Sequence, residues 1–296
     1  MRKIALPTWI AVVTAIASAA VAAQPIASTR AAQPSRREVV EATGRSIGDS
    51  SDPITGGALA AFYGEVPDGA GYDYIVVDAD GGRVIATLSQ VFSTGTFANN
   101  DSSHEYAIES STGTLYTIET ANGTTTVIGS TGDLGGAQVS MRWDPANGST
   151  LAVKPLAGCA DSALYTIDLA TGAATLISPL IGTCVQSMAI DSAGAVFLLD
   201  RATSALERID SHTGAIETIG AVGFDVDDTS SMDFDSASGI LYLISAPNGV
   251  NSLYIVDTAL GGATLIAPLG WGIPLTAFAA TTTPIDTIFA DGFDAP

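Results

Sequence analysis

The sequence predicts an all-β fold, a β-propeller of five four-stranded blades. Three observations carry that expectation. A short segment of one design recurs at intervals in the forties, each recurrence is preceded by two further short apolar segments, and Asp and Gly punctuate the turns between them. The chain has 296 residues and 31 glycines, and only 14% of it is charged. That composition suits many short strands joined by tight turns better than long helices.

The recurring segment reads "LYTIDLATGAATLI" at 164–177. Its relatives are "YIVVDADGGRVIATL" (74–88), "LYTIETANGTTTVIG" (115–129), "LERIDSHTGAIETIG" (206–220) and "LYIVDTALGGATLIAPLG" (253–270). Equivalent apolar positions are Val77, Ile118, Ile167, Ile209 and Val256, separated by 41, 49, 42 and 47 residues. Periods of this length fit propeller blades and exceed the shorter coils of a β-helix. Two earlier strands complete each unit: "SMRWD" and "TLAVK" in the third, "SMAID" and "VFLLD" in the fourth, "SMDFD" and "ILYLIS" in the fifth. These runs barely alternate between apolar and polar, as expected of sheets covered on both faces.

Turn chemistry explains the repeated Asp and Gly. In "DLATG" and "DSHTG", Asp168 and Asp210 can accept main-chain N–H bonds two residues on, and Gly172 and Gly214 supply the left-handed conformation that closes a hairpin. Asp144, Asp191 and Asp235 take the same place in "DPANG", "DSAGA" and "DSASG". These carboxylates are therefore read as turn formers and not as catalytic acids.

The first unit, from about Gly57, lacks an innermost strand, and "PLTAFAA" (274–280) supplies one from the other end. Docking it there closes the ring and removes the two free sheet edges. The blade count is then five; six is the alternative if part of 24–56 forms strands. The propeller is placed at 57–280.

Outside it, residues 1–23 have a basic pair (Arg2, Lys3), an apolar run and small residues at a cleavage position, the pattern of a secretory signal. Residues 24–56 read as a flexible linker or pro-segment, and 281–296 as a spacer and short tail. No later stretch is apolar for long enough to span a membrane. Expected locations are the medium, the periplasm or the cell surface of a Gram-negative bacterium.

The formal charge of −20, from 31 acids and 11 bases, repels phosphate backbones and excludes nucleic acid as a natural partner. No G-x-S-x-G elbow, Walker loop or H-E-x-x-H motif occurs. His104 is expected in the connection between the first two strands of its unit and His212 in the "DSHTG" hairpin, with no third ligand to build a metal site. Cys159 and Cys184 are the only cysteines. They fall in connections that an up-and-down blade brings out on one face, and export favours their pairing as a disulfide.

The stretches "GTFANNDSSHEYAIESSTGTLYTIETANGTTTVIG" and "MRWDPANGSTLAV…LYTIDLATGAATLI" resemble the LYTID-x-x-TG repeats of secreted bacterial β-propeller proteins, over roughly residues 57–280. The resemblance implies the fold and no particular activity. The tail "IDTIFADGFD" is similar to a short C-terminal signature of secreted Gram-negative proteins.

Two functions are weighed. The first is a binding module for an extracellular protein or glycan, without a cofactor. Its contacts are expected on the face bearing the longer connections, among them "GFDVDDTSS", where Asp225, Asp227 and Asp228 are candidate ligand-binding residues and offer oxygens to a Ca²⁺ ion. The second is a carbohydrate-active hydrolase or lyase with carboxylates across the central channel. The innermost strands read "SMRW", "SMAI", "SMDF" and "LTAF", with only Arg142 and Asp233 charged, which is sparse for such chemistry.

Overall fold

In the computed structural model, residues 61–67, 72–78, 81–136, 138–210, 213–236, 238–268 and 276–281 are described. The segments read as export signal and linker, and the C-terminal tail after Thr281, lie outside them, as does His212. The described residues form twenty strands in five four-stranded antiparallel sheets. Blade 1 runs β20 (Thr276–Thr281), β1 (Ala61–Pro67), β2 (Tyr72–Asp78), β3 (Gly81–Leu88). Blade 2 runs β4 (Phe92–Ala98), β5 (Asp101–Glu109), β6 (Thr114–Glu119), β7 (Thr125–Ser130). Blade 3 comprises β8 (Ser140–Asp144), β9 (Ser149–Pro155), β10 (Asp161–Ile167) and β11 (Ala174–Ile181). Blade 4 comprises β12 (Val185–Ile190), β13 (Val196–Asp200), β14 (Ala205–Ile209) and β15 (Ile216–Ala221). Blade 5 comprises β16 (Ser231–Phe234), β17 (Leu241–Ser245), β18 (Ser252–Val256) and β19 (Ala263–Pro268).

The innermost strands β20, β4, β8, β12 and β16 each pack on the next, and β16 packs on β20, so the ring is closed. The C-terminal strand β20 pairs with β1, Phe62 opposite Ala280 and Tyr63 opposite Ala279. Blade 1 is thus assembled from both ends of the domain, and the five-blade count holds. Removing residues 274–296 is expected to strip that strand and expose an edge of β1, giving soluble aggregates and a broad, non-cooperative denaturant transition by circular dichroism. Removing only 285–296 is expected to leave the transition unchanged.

Apolar clusters occupy the seams. Between blades 4 and 5, Phe197, Leu199 and Leu206 meet Met232, Leu241 and Leu243. Between blades 3 and 4, Leu151, Val153 and Leu164 meet Met188, Ile190 and Leu198. Seams 5–1, 1–2 and 2–3 are filled in the same way. A strand such as β13, buried at every residue from Val196 to Asp200, has a neighbouring sheet on each side, which is why its sequence does not alternate.

The hairpins follow the expected chemistry. The Asp168 Oδ1 accepts the Ala170 N–H at 2.8 Å, its Oδ2 accepts the Thr171 hydroxyl at 2.8 Å, and the Gly172 N–H returns to the Asp168 carbonyl at 2.7 Å. These bonds, the Ala170 N–H first, hold the Asp168 carboxyl below the ordinary aspartate range. Gly172 adopts φ = +83°, which a side chain disfavours. This turn also docks on the preceding blade: a Cβ on Gly129 would collide with the Thr171 carbonyl, so β7 needs glycine there.

One regularity was not read from sequence. The pairing of third and outermost strands shifts register once in every blade, at Tyr74/Ile75, Leu115/Tyr116, Leu164/Tyr165, Leu206/Glu207 and Leu253/Tyr254. These are equivalent positions, and bulges of this kind increase local twist.

Candidate functional site

The site at the axis grows from the repeated "SM" pairs of the innermost strands. The Ser140 hydroxyl accepts the Met188 N–H at 2.9 Å, and the Ser187 hydroxyl accepts the Met232 N–H at 2.9 Å. In blade 2 a threonine does the same, Thr94 accepting the Met141 N–H at 2.8 Å. Asp233 Oδ2 carries the chain of bonds into blade 1 by accepting the Ala280 N–H at 2.9 Å, and Glu65 Oε2 carries it into blade 2 by accepting the Phe92 N–H at 2.7 Å. Every seam is therefore crossed by a side chain that satisfies a main-chain donor of the following blade.

These bonds also fix the register of the closing strand. Phe278 stands level with Met141 and Met232, so the blade 1 counterpart of "SMRW" is "AFAA" (277–280), two residues on from the expected "LTAF". The innermost strand of blade 2 likewise starts earlier than "GTFAN", at Phe92.

Arg142 closes the channel. Its side chain is 2% exposed and lies across the axis. Nη1 donates to the carbonyls of Gly95 and Met141, both at 2.7 Å. Nη2 donates to those of Met232 at 2.7 Å and Phe278 at 2.9 Å. Nε lies 3.0 Å from Asp233 Oδ1. One guanidinium thus holds carbonyls from four of the five innermost strands, a task its planar fork of donors suits and a lysine's point charge does not. Burial pushes the Asp233 carboxyl upward, opposed by the Arg142 charge and by the N–H groups of Ala280 and Phe234. Arg142 and Asp233 are partners in an ion pair at the hub.

The plug leaves a depression at each end of the axis. The one on the face carrying the longer connections has a volume of about 450 Å³ and is bordered by Gln138, Gln186, Ser187, Asp228, Thr229 and Ser231, among others. The Gln138 side-chain amide donates to the Asp228 carbonyl, and that of Gln186 to the Ser230 carbonyl at 3.3 Å. The opposite, hairpin face holds a smaller depression of about 160 Å³ whose floor includes Arg142 and Asp233.

Of the residues singled out from sequence, Asp228 borders the larger depression. Asp227 is committed to its own turn, Oδ1 accepting the Thr229 N–H at 2.9 Å, the Thr229 hydroxyl at 2.6 Å and the Ser230 hydroxyl at 3.1 Å. Asp225 is exposed on the same connection. The three are near in sequence but not gathered around one point. Among the described residues no group of three or more His, Cys, Asp or Glu side chains is placed to share a metal ion. Cys159 and Cys184 form the expected disulfide on this face, with Cα atoms 4.9 Å apart. His104 is not in a connection: it sits on β5, half-exposed, with Nδ1 2.8 Å from the Ser103 hydroxyl and 3.4 Å from Asp101. The hairpin at Asn99 and Asn100 is tight enough, both with positive φ, for β5 to begin at Asp101.

Sequence reasoning missed the acidic seam between blades 1 and 2. Glu65 on β1 and Glu105 on β5 are fully buried, and Glu105 Oε2 accepts the Tyr74 hydroxyl at 2.6 Å. Each has a second carboxyl oxygen, Oε1, with no hydrogen-bond partner among the described residues. Burial pushes Glu65 up to about 8, with the neighbouring Glu105 adding to it and the Phe92 N–H opposing. Burial likewise pushes Glu105 up to about 8 against the Tyr74 bond and the Arg142 charge. The available signal was an acid inside an apolar strand in a chain otherwise poor in charge, as in "FYGEV" and "HEYAI".

No known family and no curated protein matches this chain. Solved structures with similar folds include TolB from Acinetobacter baumannii, with a TM-score of 0.50 at 18% identity over 71% of this chain and 53% of that one. A gluconolactonase from Xanthomonas campestris has a TM-score of 0.49 at 12% identity, over 72% and 77% of the two chains. A chain of a nidogen/laminin complex has 0.49 at 10% identity, over 75% and 97%. The chain spans about half the length of the TolB structure. At 18% identity the likeness to TolB is one of fold alone; the five closed blades themselves make the chain a β-propeller. Among the described residues no helix is long and apolar enough to cross a membrane.

Proposed function

We propose that this chain is an exported binding module that meets an extracellular protein or glycan on the face bearing Asp225, Asp227 and Asp228. The observation that carries the reading is the depression of about 450 Å³ on that face, bordered by amide and hydroxyl side chains on a rigid, disulfide-tied ring. Longer connections on a rigid scaffold are where recognition residues collect. The export pattern at residues 1–23 and the disulfide both favour an oxidising compartment outside the cytoplasm.

The rival hydrolase or lyase needs two carboxylates facing a common space roughly 5–9 Å apart. Asp233 is engaged by Arg142, Asp101 at the mouth of the same depression is engaged by the Ser103 N–H and hydroxyl, and Glu65 and Glu105 border neither depression. The geometry therefore favours binding over turnover.

The test combines a glycan array with cross-linking capture from the extracellular fraction. The Gln138→Ala/Gln186→Ala double variant is expected to weaken the partner at least tenfold while its melting temperature changes little. A partner indifferent to that change overturns the face assignment, and turnover of aryl glycosides or lactones overturns the class. The proposal includes a Ca²⁺ ion on the acidic connection that carries Asp225, Asp227 and Asp228; a melting temperature unmoved by millimolar Ca²⁺ removes it.

A further inference from the structure

The smaller depression on the hairpin face is built from one equivalent residue per blade. Phe97, Trp143, Ile190, Phe234 and Ala280 follow the hub layer in their strands and together line it. They form an apolar collar, aromatic at three of five positions. Below the collar lie Arg142 and Asp233, and above it Asn100, Asp101, Ser102, Ser192 and Ser236 form a polar rim.

The floor selects by what it lacks. Both terminal nitrogens of Arg142 already donate to carbonyls and Nε faces Asp233, so no guanidinium group is left to hold an anion. The overall charge of −20 and the rim Asp101 disfavour anions further. A cation gains little from a floor where the Asp233 charge is balanced by Arg142. The 8% of Asp233 that remains exposed offers an acceptor to a hydroxyl group. A ligand that is neutral, ring-shaped, apolar on its faces and hydroxylated at its edge satisfies collar, floor and rim together.

We infer that this depression binds one neutral saccharide unit, its ring face against Trp143, with Phe97 and Phe234 lining the wall beside it, and its hydroxyls toward Asp233 and the serine rim. This site is separate from the partner face proposed above and shares no residue with it.

The probes are methyl glycosides of neutral hexoses and N-acetylhexosamines, read by saturation-transfer NMR on the folded, exported chain. Binding in the millimolar range is expected for at least one of them. Trp143→Ala should weaken it more than tenfold. Ser192→Trp, at an exposed turn position, should fill the mouth and abolish the signal with the melting temperature unchanged, and Leu176→Thr on the outer strand β11 should leave binding intact. Running each free sugar beside its methyl glycoside tells a reducing sugar from a glycan end; either supports the site. The inference is overturned if no glycoside gives a signal, if the signal survives Ser192→Trp, or if tetramethylammonium or glucuronate binds in place of the neutral sugars. Loss of the signal in Gln138→Ala/Gln186→Ala would move the site to the opposite face and overturn it as well.

Discussion

Replacing Arg142 with methionine is expected to abolish the folded propeller, the largest effect of any single substitution in this chain. The guanidinium satisfies carbonyls of Gly95, Met141, Met232 and Phe278, and it neutralises Asp233. Removing one partner of a buried ion pair costs about 3–5 kcal/mol. Each orphaned buried acceptor adds roughly 1–3 kcal/mol. Domains of this kind have only about 5–15 kcal/mol in hand. Arg142→Lys should fail nearly as badly, because one ammonium cannot serve carbonyls on opposite sides of the axis. Soluble yield and thermal melts by circular dichroism provide the measurement. The double variant Arg142→Met/Asp233→Leu separates the two roles: it removes the unpaired charge and leaves the carbonyls unserved. It is expected to remain unfolded or to melt far below the parent. Full recovery of the melt would mean that the guanidinium only balances Asp233 and does not hold the ring.

Raising the pH from 5 to 9 is expected to destabilise the protein steeply, and Glu105→Gln and Glu65→Gln are each expected to remove part of that loss. Both carboxyls are raised from 4.5 to about 8 in the folded chain. Below pH 4.5 they are protonated in both states and contribute no difference. Between 4.5 and 8 the unfolded chain releases their protons and the folded chain does not, so stability falls as pH rises through this window and levels off above it. At about 1.4 kcal/mol for each tenfold change in proton affinity, one such group withdraws up to roughly 5 kcal/mol. Glutamine keeps the acceptor that serves the Phe92 N–H or the Tyr74 hydroxyl and carries no proton to lose. Each variant should therefore melt higher than the parent at pH 9 and nearly the same at pH 4. Denaturant titrations at pH 4, 5, 7 and 9 decide the matter: a parent whose stability is flat across that range would show that the seam ionises without cost.

Much of the architecture is legible in the sequence, because a repeat states its local chemistry several times. Asp168 with Gly172 and Asp210 with Gly214 determine hairpins through bonds only two to four residues long. Strands without alternation, such as "VFLLD", require cover on both faces, and stacked blades provide it. The absent innermost strand of the first unit pointed to "PLTAFAA", and two cysteines on connections of the same face pointed to one disulfide.

By itself, then, the sequence determined the blade count, the closing strand, the hairpin chemistry and the disulfide, all consequences of local patterns or of a repeat that lacks a part. Only the tertiary structure decided what those parts do together. Arg142 is a charged residue in one innermost strand until three other strands bring their carbonyls and Asp233 to within hydrogen-bonding distance. Glu65 and Glu105, forty residues apart in different blades, acquire raised proton affinities from the same closed seam. Asp227 and Asp228 illustrate the converse, adjacent in the chain, yet one closes its own turn and the other borders the larger depression. Proximity along the chain governs turns, but burial and convergence across blades govern charge, and those are properties of the ring and of no segment within it.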